Sequence, residues 1–508
     1  MPTTATAPTV PATSTGPRLA TYQEAIVKYA NVQGNILKGH GRDHAAFLFI
    51  EFGPDAAQVR AWLKNALNGD GRVAITSTAK QLEDTLRYKE FRIPGDLFAM
   101  LLLTAAGLQA LGQKVPSEPE QVAQPQFSAA FTRGMRAPET KELLTDPAPE
   151  EWEPGWFEAG SATPTPLHAL LILADDDEGS LQSAVREVAD QVAGGVGTLH
   201  LLEWGHALRN SDGNGIEHFG YADGVSQPMY LAEDMPNHHP EGAKDSPLEE
   251  GIDRWDPSAG PEKLVLVPDP AGSFGSFFVF RKLQQSVREF KEAEERLAQR
   301  LALAAGDEER AGAMLVGRFE DGTPVVERGS DGLINPIANN FNYDDDPNGS
   351  KCPFHAHIRK MNPRGETAAP GSGSTPADIA QKKAAQDEEK LRRLTRRGIP
   401  FGDPEEALKE DGKPVGLLFM CFVRNIAQQY EFIQKFWANN PDFLFNKNQP
   451  GLDPIIGQGE RGKLRFNYTY GAAGCRQASF AQFVTMRGGE YFYAPSMNGL
   501  RKMAGLVG

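Results

Sequence analysis

The chain has 508 residues, of which 40% are hydrophobic and 23% charged, a globular composition that excludes a collagen-like, wholly disordered or coiled-coil protein. At roughly 150 residues per domain, the length predicts about three domains or two large ones. A net charge of −15 offers no basic field to gather phosphate groups, which argues against nucleic acid and anionic membranes as partners.

With 52 glycines and 37 prolines the chain is expected to be loop-rich. Its three cysteines, Cys352, Cys421 and Cys475, are odd in number and far apart, which suits reduced thiols better than a disulfide framework or a metal knuckle. No apolar run approaches the ~20 residues that span a bilayer, so no membrane segment is expected. Residues 1–25 read as a flexible tail rich in Thr, Pro and Ala. They lack the basic and apolar regions of a signal peptide and a twin-arginine pair, so the expected location is cytoplasmic.

In chain order, 47–52 reads as a buried strand and 55–68 as an amphipathic helix behind an Asp cap. Residues 98–104 are strand-like and 105–112 helix-like. A clearer unit follows: strand 168–174, amphipathic helix 180–192, strand 198–204. A second set comprises strand 276–283, charged helix 287–304, strand 416–423, helix 427–437 and a last strand at 480–485. Two such sets suit two α+β halves with a boundary near 205–210. Between the strands at Phe280 and Leu417 the chain is loop-rich. Within that excursion 366–374 is small, polar and Gly/Pro-rich, and 375–393 is a charged helix candidate.

Three stretches carry chemistry. In 217–228 (EHFGYADGVSQP) glycines flank Asp223 and Pro228 stops any helix, so a tight turn presents the carboxylate; a solvated Asx turn would give the same pattern. In 352–364 (CPFHAHIRKMNPR) His355 and His357 are one residue apart. On a strand both would face one side and could chelate a non-haem metal. In a helix they would diverge and leave one ligand, which suits haem, whose porphyrin needs a single axial protein ligand; ordinary core or surface histidines are the bland alternative. Finally, Arg392, Arg393, Arg396 and Arg397 precede Gly398-Ile399-Pro400, either as a solvated helix end or as a local anion site.

Seven blocks, in order, resemble the dye-decolourising peroxidase family: 31–42 (NVQGNILKGHGR), 220–228 (GYADGVSQP), 278–285 (FVFRKLQQ), 352–364, 396–402 (RRGIPFG), 416–434 (GLLFMCFVRNIAQQYEFIQ) and 488–496 (GGEYFYAPS). They cover the chain from about residue 30 to 496, and the long second half is similar to the larger, fungal-like subgroup that bacteria share. The resemblance implies an α+β fold of two ferredoxin-like modules with antiparallel sheets, at 26–208 and 209–508, with haem b bound in the C-terminal one. It assigns Asp223 and Arg396 to the catalytic, distal side of the haem. It makes His357, which stands directly before Ile358-Arg359-Lys360, the axial iron ligand in preference to His355. Asn362, Arg364, Leu417 and Phe419 would bind the haem, Arg364 at a propionate. Asp453 is the candidate acceptor for the Nδ1–H of His357.

The implied activity is a haem-dependent peroxidase that reduces hydrogen peroxide to water and oxidises dyes, phenolics and other aromatic donors. Asp223 would move the proton as base and then acid, and an Asp kept ionised by Arg396 predicts a preference for acidic pH. Phe401 stands where many relatives have Tyr, which puts one familiar radical site in doubt. Trp204, Trp255, Trp437, Tyr221 and Tyr343 are the remaining candidates for relaying electrons to large donors. The competing readings are a haem-binding protein for haem or iron handling with incidental peroxidase activity, a non-haem metal protein using His355 and His357, and a scaffold. The expected assembly is a monomer or dimer.

Overall fold

The computed structural model describes residues 17–119, 129–237, 254–304, 306–332, 337, 339–368, 375–444, 450–468 and 474–507. In the first half the elements are α1 (Tyr22–Lys28), β1 (His44–Phe52), α2 (Ala56–Asn68), α3 (Thr78–Phe91), β2 (Phe98–Leu103), β3 (Ala169–Asp175), α4 (Glu178–Gln191) and β4 (Gly197–His206). In the second half they are β5 (Val267–Asp269), β6 (Ser273–Gln285), α5 (Val287–Leu301), α6 (Glu308–Val316), α7 (His357–Met361), α8 (Pro376–Arg392), β7 (Thr395–Arg396), β8 (Ile399–Phe401), β9 (Gly416–Val423), β10 (Val484–Ala494) and α9 (Met497–Met503).

Local chemistry explains where several helices begin and end. Asp55 caps α2 by accepting from Ala57 N and Gln58 N, and Gly69, at φ +72°, stops it. Asp177 caps α4 through Ser180 N. Both helices bury one stripe, Val59, Trp62, Leu63 and Ala66 in α2 and Leu181, Ala184, Val185 and Val188 in α4, at the spacing that aligns side chains on one helical face. α1 starts at Tyr22 behind a Thr21–Glu24 capping box, so the last residues of the expected tail are helical. Residues 1–16 of that tail lie outside the described residues.

The strands form one antiparallel sheet in the order β8-β9-β6-β10-β2-β3-β1-β4, with β5 beside β6 and β7 beside β9. Each half of this path has the ferredoxin-like order in which the first strand lies between the third and the fourth. The halves join through the pairing of Tyr493 in β10 with Leu103 in β2. A Cβ on Gly205 of β4 would lie 2.5 Å from Ile399 of β8, so the sheet curls until its edge strands meet. Inside, Phe49 of β1 packs edge-on to Phe280 of β6, with ring centroids 5.0 Å apart. This interior explains why the strands of the first half read as unbroken apolar runs.

Two predicted elements are corrected. The last strand is Val484–Ala494 and not 480–485. Phe480 and Phe483 lie in the loop before it, packed edge-on against Phe290. The strand carries Gly488 and Gly489, residues that weaken a strand signal. They are needed because a Cβ on Gly488 would lie 2.1 Å from Trp156 Nε1 and one on Gly489 2.5 Å from Met135 Sδ. The helix expected at 427–437 is present as wide, π-type turns, Ala427–Glu431 and Ile433–Ala438; such turns often mark functional sites. The loop expected at 366–374 lies outside the described residues from 369 on, and the helix after it is α8. Among the described residues no helix is long and apolar enough to cross a membrane.

Candidate active site

A cavity opens between α7 and the curled sheet of the second half. Asp223, Arg396, His357, Asn362, Arg364, Leu417 and Phe419 all line it.

His357 is the first residue of α7, and its Nδ1 lies 2.8 Å from Asp453 Oδ2. An ionised carboxylate only accepts, so Nδ1 carries the hydrogen and Nε2 keeps its lone pair. Asp453 is fully buried, and its Oδ1 accepts from Ile455 N and Ile456 N at 2.8 and 3.0 Å. Burial pushes its carboxyl up, but the His357 ring and those amides outweigh it and hold it below the usual Asp range. The two residues after Ile358 anchor the helix. Arg359 pairs with Asp346 at 2.8 Å and Glu366 at 2.6 Å, while Lys360 Nζ donates to the carbonyls of Asn440 and Gly451.

His355 has a different environment. It is fully buried, edge-on to Phe466 with ring centroids 4.7 Å apart, and neither ring nitrogen has a partner among the described residues. Burial pushes its imidazole down to about 3, with Lys360 adding to the effect, so the ring is neutral. It does not line the cavity, so the shared chelation open to two histidines in one strand does not occur. Among the described residues no group of three His, Cys, Asp or Glu is placed to hold a metal ion.

On the facing wall Arg396 Nη1 donates to Asp223 Oδ1 at 2.9 Å. Asp223 Oδ1 also accepts from Gly224 N at 2.6 Å, and Oδ2 is not engaged among the described residues. Phe219 stacks on Phe290 of α5 with centroids 4.0 Å apart, pinning the loop that carries Asp223. The arginine cluster is divided between tasks. Arg393 and Arg396 reach the cavity, whereas Arg392 donates to Gln428 and Arg397 to the carbonyls of Asn35 and Ile36.

Arg364 lies almost fully buried on the cavity wall, at φ +54°. Its guanidinium donates to Asn339 O, Asn339 Oδ1, Phe341 O and Ser226 Oγ, all neutral acceptors. Its Nε and the Nδ2 of Asn339 are buried without partners among the described residues. Burial depresses Arg364 to about 9 and the neighbouring Arg318 to about 10. A buried Arg364 served by neutral groups calls for an anion, and a haem propionate is one. The apolar side chains of Ile358, Met361, Leu417, Phe419, Ile433 and Ile455 complete walls suited to a porphyrin. The residues present therefore fit haem.

No protein-family model matches the chain. The multifunctional dye peroxidase DyP2 of an Amycolatopsis species is 42% identical over 496 residues, covering 94% of this chain and 97% of the relative. The chain belongs to the dye-decolourising peroxidase family. Its members are haem b peroxidases, and so is this chain. The crystal structure of a DyP-type peroxidase from an Anabaena species superposes with a TM-score of 0.82 at 35% identity, covering 96% of this chain and 97% of that one. A dye-decolourising peroxidase solved with 2,6-dimethoxyphenol superposes at 0.70 with 26% identity, covering 93% and 99%. Membership does not favour the haem- or iron-handling alternative.

Several further residues line the cavity without a role having been expected of them: Glu217, Ser226, Arg281, Arg318 and Tyr430. All but Arg318 fall inside stretches singled out from the sequence, but local residue order does not show that the fold brings them to one cavity wall. Of the aromatic candidates for electron relay, Trp255, Trp437, Tyr221 and Tyr343 are buried, and Trp204 is half-buried. Phe401 is buried too, beneath the Lys282 ammonium, 4.7 Å from its ring centroid.

Proposed function

We propose that this peroxidase reduces hydrogen peroxide in the cavity between His357 and the Asp223–Arg396 pair, drawing electrons from phenols, dyes and other aromatic donors. One observation carries the reading: an imidazole already committed to a buried carboxylate through Nδ1 shares a cavity with a carboxylate–guanidinium pair. The named cavity residues all fall within 209–508, which supports that module as the haem-binding one.

His357 would hold the haem iron through Nε2, with Arg364 at a propionate and Asn362, Leu417 and Phe419 against the ring. Bound haem would give the peroxide the two electrons that no side chain here can and would hold the resulting oxidising equivalents for the donors. Asp223 takes a proton from the peroxide through Oδ2, the oxygen left unengaged, and returns it to the departing oxygen so that water leaves. Arg396 keeps one donor on Asp223 and offers its others to the negative charge that develops on the peroxide oxygen, a preorganised stabilisation. Asp453 holds the tautomer of His357 and strengthens it as a donor. Electrons then arrive one at a time from two donor molecules.

The test is an absorption spectrum of the protein produced with haem supply, before and after one equivalent of peroxide, for wild type and His357→Ala. A Soret band that changes with peroxide, and is lost or altered in the variant, is the expected result. Absence of a Soret band at full haem supply would overturn the reading.

A further inference from the structure

We infer that Glu217 is a positioning residue for Asp223: its carboxylate clamps the hairpin of residues 215–223 and ties it to the end of β6. The inference rests on the catalytic role proposed above for Asp223.

The clamp is built from both carboxylate oxygens. Oε2 accepts from Phe219 N at 2.9 Å and Oε1 from Tyr221 N at 3.0 Å. Gln285 Nε2, at the end of β6, donates to Oε2. The hairpin also closes through its backbone: Gly220 N donates to Glu217 O at 2.9 Å and Asp223 N to Gly215 O at 3.0 Å, with an Ile216–Ala222 bridge between the arms. Gly220 turns the chain at φ +101°, a conformation in which Glu217 intercepts the two amides that flank the glycine. Removing the carboxylate would leave both N–H groups without their acceptor, and the turn that aims Asp223 at Arg396 would relax.

The site is costly to keep, which argues for a purpose. Glu217 stands on the cavity wall, served by three neutral N–H donors. Burial pushes its carboxyl up to about 7, with the Asp223 charge a smaller contribution in the same direction. A carboxylate held without a cation is disfavoured unless its hydrogen bonds are needed. Phe219 and Tyr221 on either side of Gly220 pack their side chains into the core below, while the clamp holds their backbone, from which the chain runs on directly through Ala222 to Asp223.

The test uses haem-loaded Glu217→Gln assayed above pH 7, where the wild-type group is a carboxylate; the variant keeps the shape but replaces one acceptor oxygen with a donor. The expected result is a fall of about tenfold in kcat/KM for peroxide, with kcat/KM for the aromatic donor unchanged and the Soret band intact. The rate of cyanide binding, which requires loss of a proton in the cavity, should fall in parallel. Asp223→Asn is run beside it, and in that background Glu217→Gln should add little, because both act through one group. Gln285→Leu cuts only the tie to β6 and supplies the same test, with a smaller loss, if Glu217→Gln does not fold. Peroxide and cyanide rates within twofold of wild type in Glu217→Gln, alongside a large loss in Asp223→Asn, would overturn this inference alone. No loss in Asp223→Asn would overturn the catalytic reading and this inference with it.

Discussion

The Nδ1 of His357 and the Oδ2 of Asp453 lie 2.8 Å apart, although His357 opens α7 and Asp453 lies in a loop beyond α8, β9 and the π-type turns. The contact settles which nitrogen of His357 is available to a metal, because the carboxylate can only accept. Replacing Asp453 with Asn removes the charge but keeps an oxygen that can accept. Asp453→Asn should retain haem and lose about 10- to 100-fold in peroxide turnover, the usual scale for such supporting contacts. Stopped-flow absorbance after mixing with peroxide checks it, and an unchanged rate would show that the contact only orients the ring.

The two histidines of 355–357 should respond in opposite ways to substitution. His355 lacks a partner on either nitrogen inside an apolar setting, so a leucine there removes a desolvation cost of about 1–3 kcal/mol and the shape change offsets part of the gain. His355→Leu should fold with stability near or above wild type and keep its Soret band. His357→Ala should lose or alter that band at little cost in stability. Loss of haem in the His355 variant would reverse the assignment.

In the proposed mechanism Asp223 and Arg396 act on the same proton transfer, so their substitutions should not add. Asp223→Asn is expected to lower kcat/KM for peroxide by about 10²–10⁴, the range for a positioned general acid–base. Arg396→Leu removes a donor to developing charge and should cost about 10²–10³. The double variant should be little slower than the worse single one. Fully multiplicative losses would place the two residues in separate steps.

How much of this was legible in the sequence depended on how local each signal is. The caps at Asp55 and Asp177 act within three residues, and both helices were found close to their true starts. Asp223, Arg396 and His357 were legible because each sits in a short block whose residue order resembles one family. Spacing alone could not separate His355 from His357; the difference is set by Phe466 and Asp453, far along the chain. The tie from Gln285 to Glu217 and the Ser226 and Asn339 partners of Arg364 were missed for the same reason, since those hydrogen bonds join segments that nothing local relates. The last strand was misplaced because Gly488 and Gly489, required by the close approach of Trp156 and Met135, interrupt its apolar pattern.

Stability should pass through a maximum with pH, because two kinds of desolvated group oppose each other. Burial pushes Glu118 and Glu217 up to about 7, above the unfolded value of 4.5. The folded state therefore binds more protons than the unfolded one between pH 4.5 and 7, and stability falls as pH rises through that window. His40 and His355 are pushed down by burial to about 3; their contribution is complete above 6.5 and is lost as pH falls towards 3. Glu118→Gln should flatten the loss between pH 4.5 and 7, by on the order of 1 kcal/mol per pH unit where the group titrates. Urea unfolding at pH 5 and at pH 7.5, wild type against variant, measures it; an identical pH slope would mean that the fold does not raise the Glu118 carboxyl.

Gly312 in α6 tests how tightly the Asp223 loop is held from below. A Cβ there would lie 1.8 Å from Glu294 Oε1 and 2.0 Å from Tyr221 Oη, the two atoms that hydrogen-bond at 2.5 Å beneath the loop. Both neighbours are fixed, Glu294 by Lys291 at 3.1 Å and Tyr221 by burial against Phe290, so neither can swing aside without breaking a contact. Alanine normally favours a helix over glycine by roughly 1 kcal/mol, yet here overpacking of about 1–3 kcal/mol should win. Gly312→Ala is expected to lower the urea midpoint. Tyr221→Phe, which deletes one of the two atoms in the way, should restore part of the loss. A stabilised Gly312→Ala would show that the loop moves aside easily, and would weaken the case that its conformation is tightly held for Asp223.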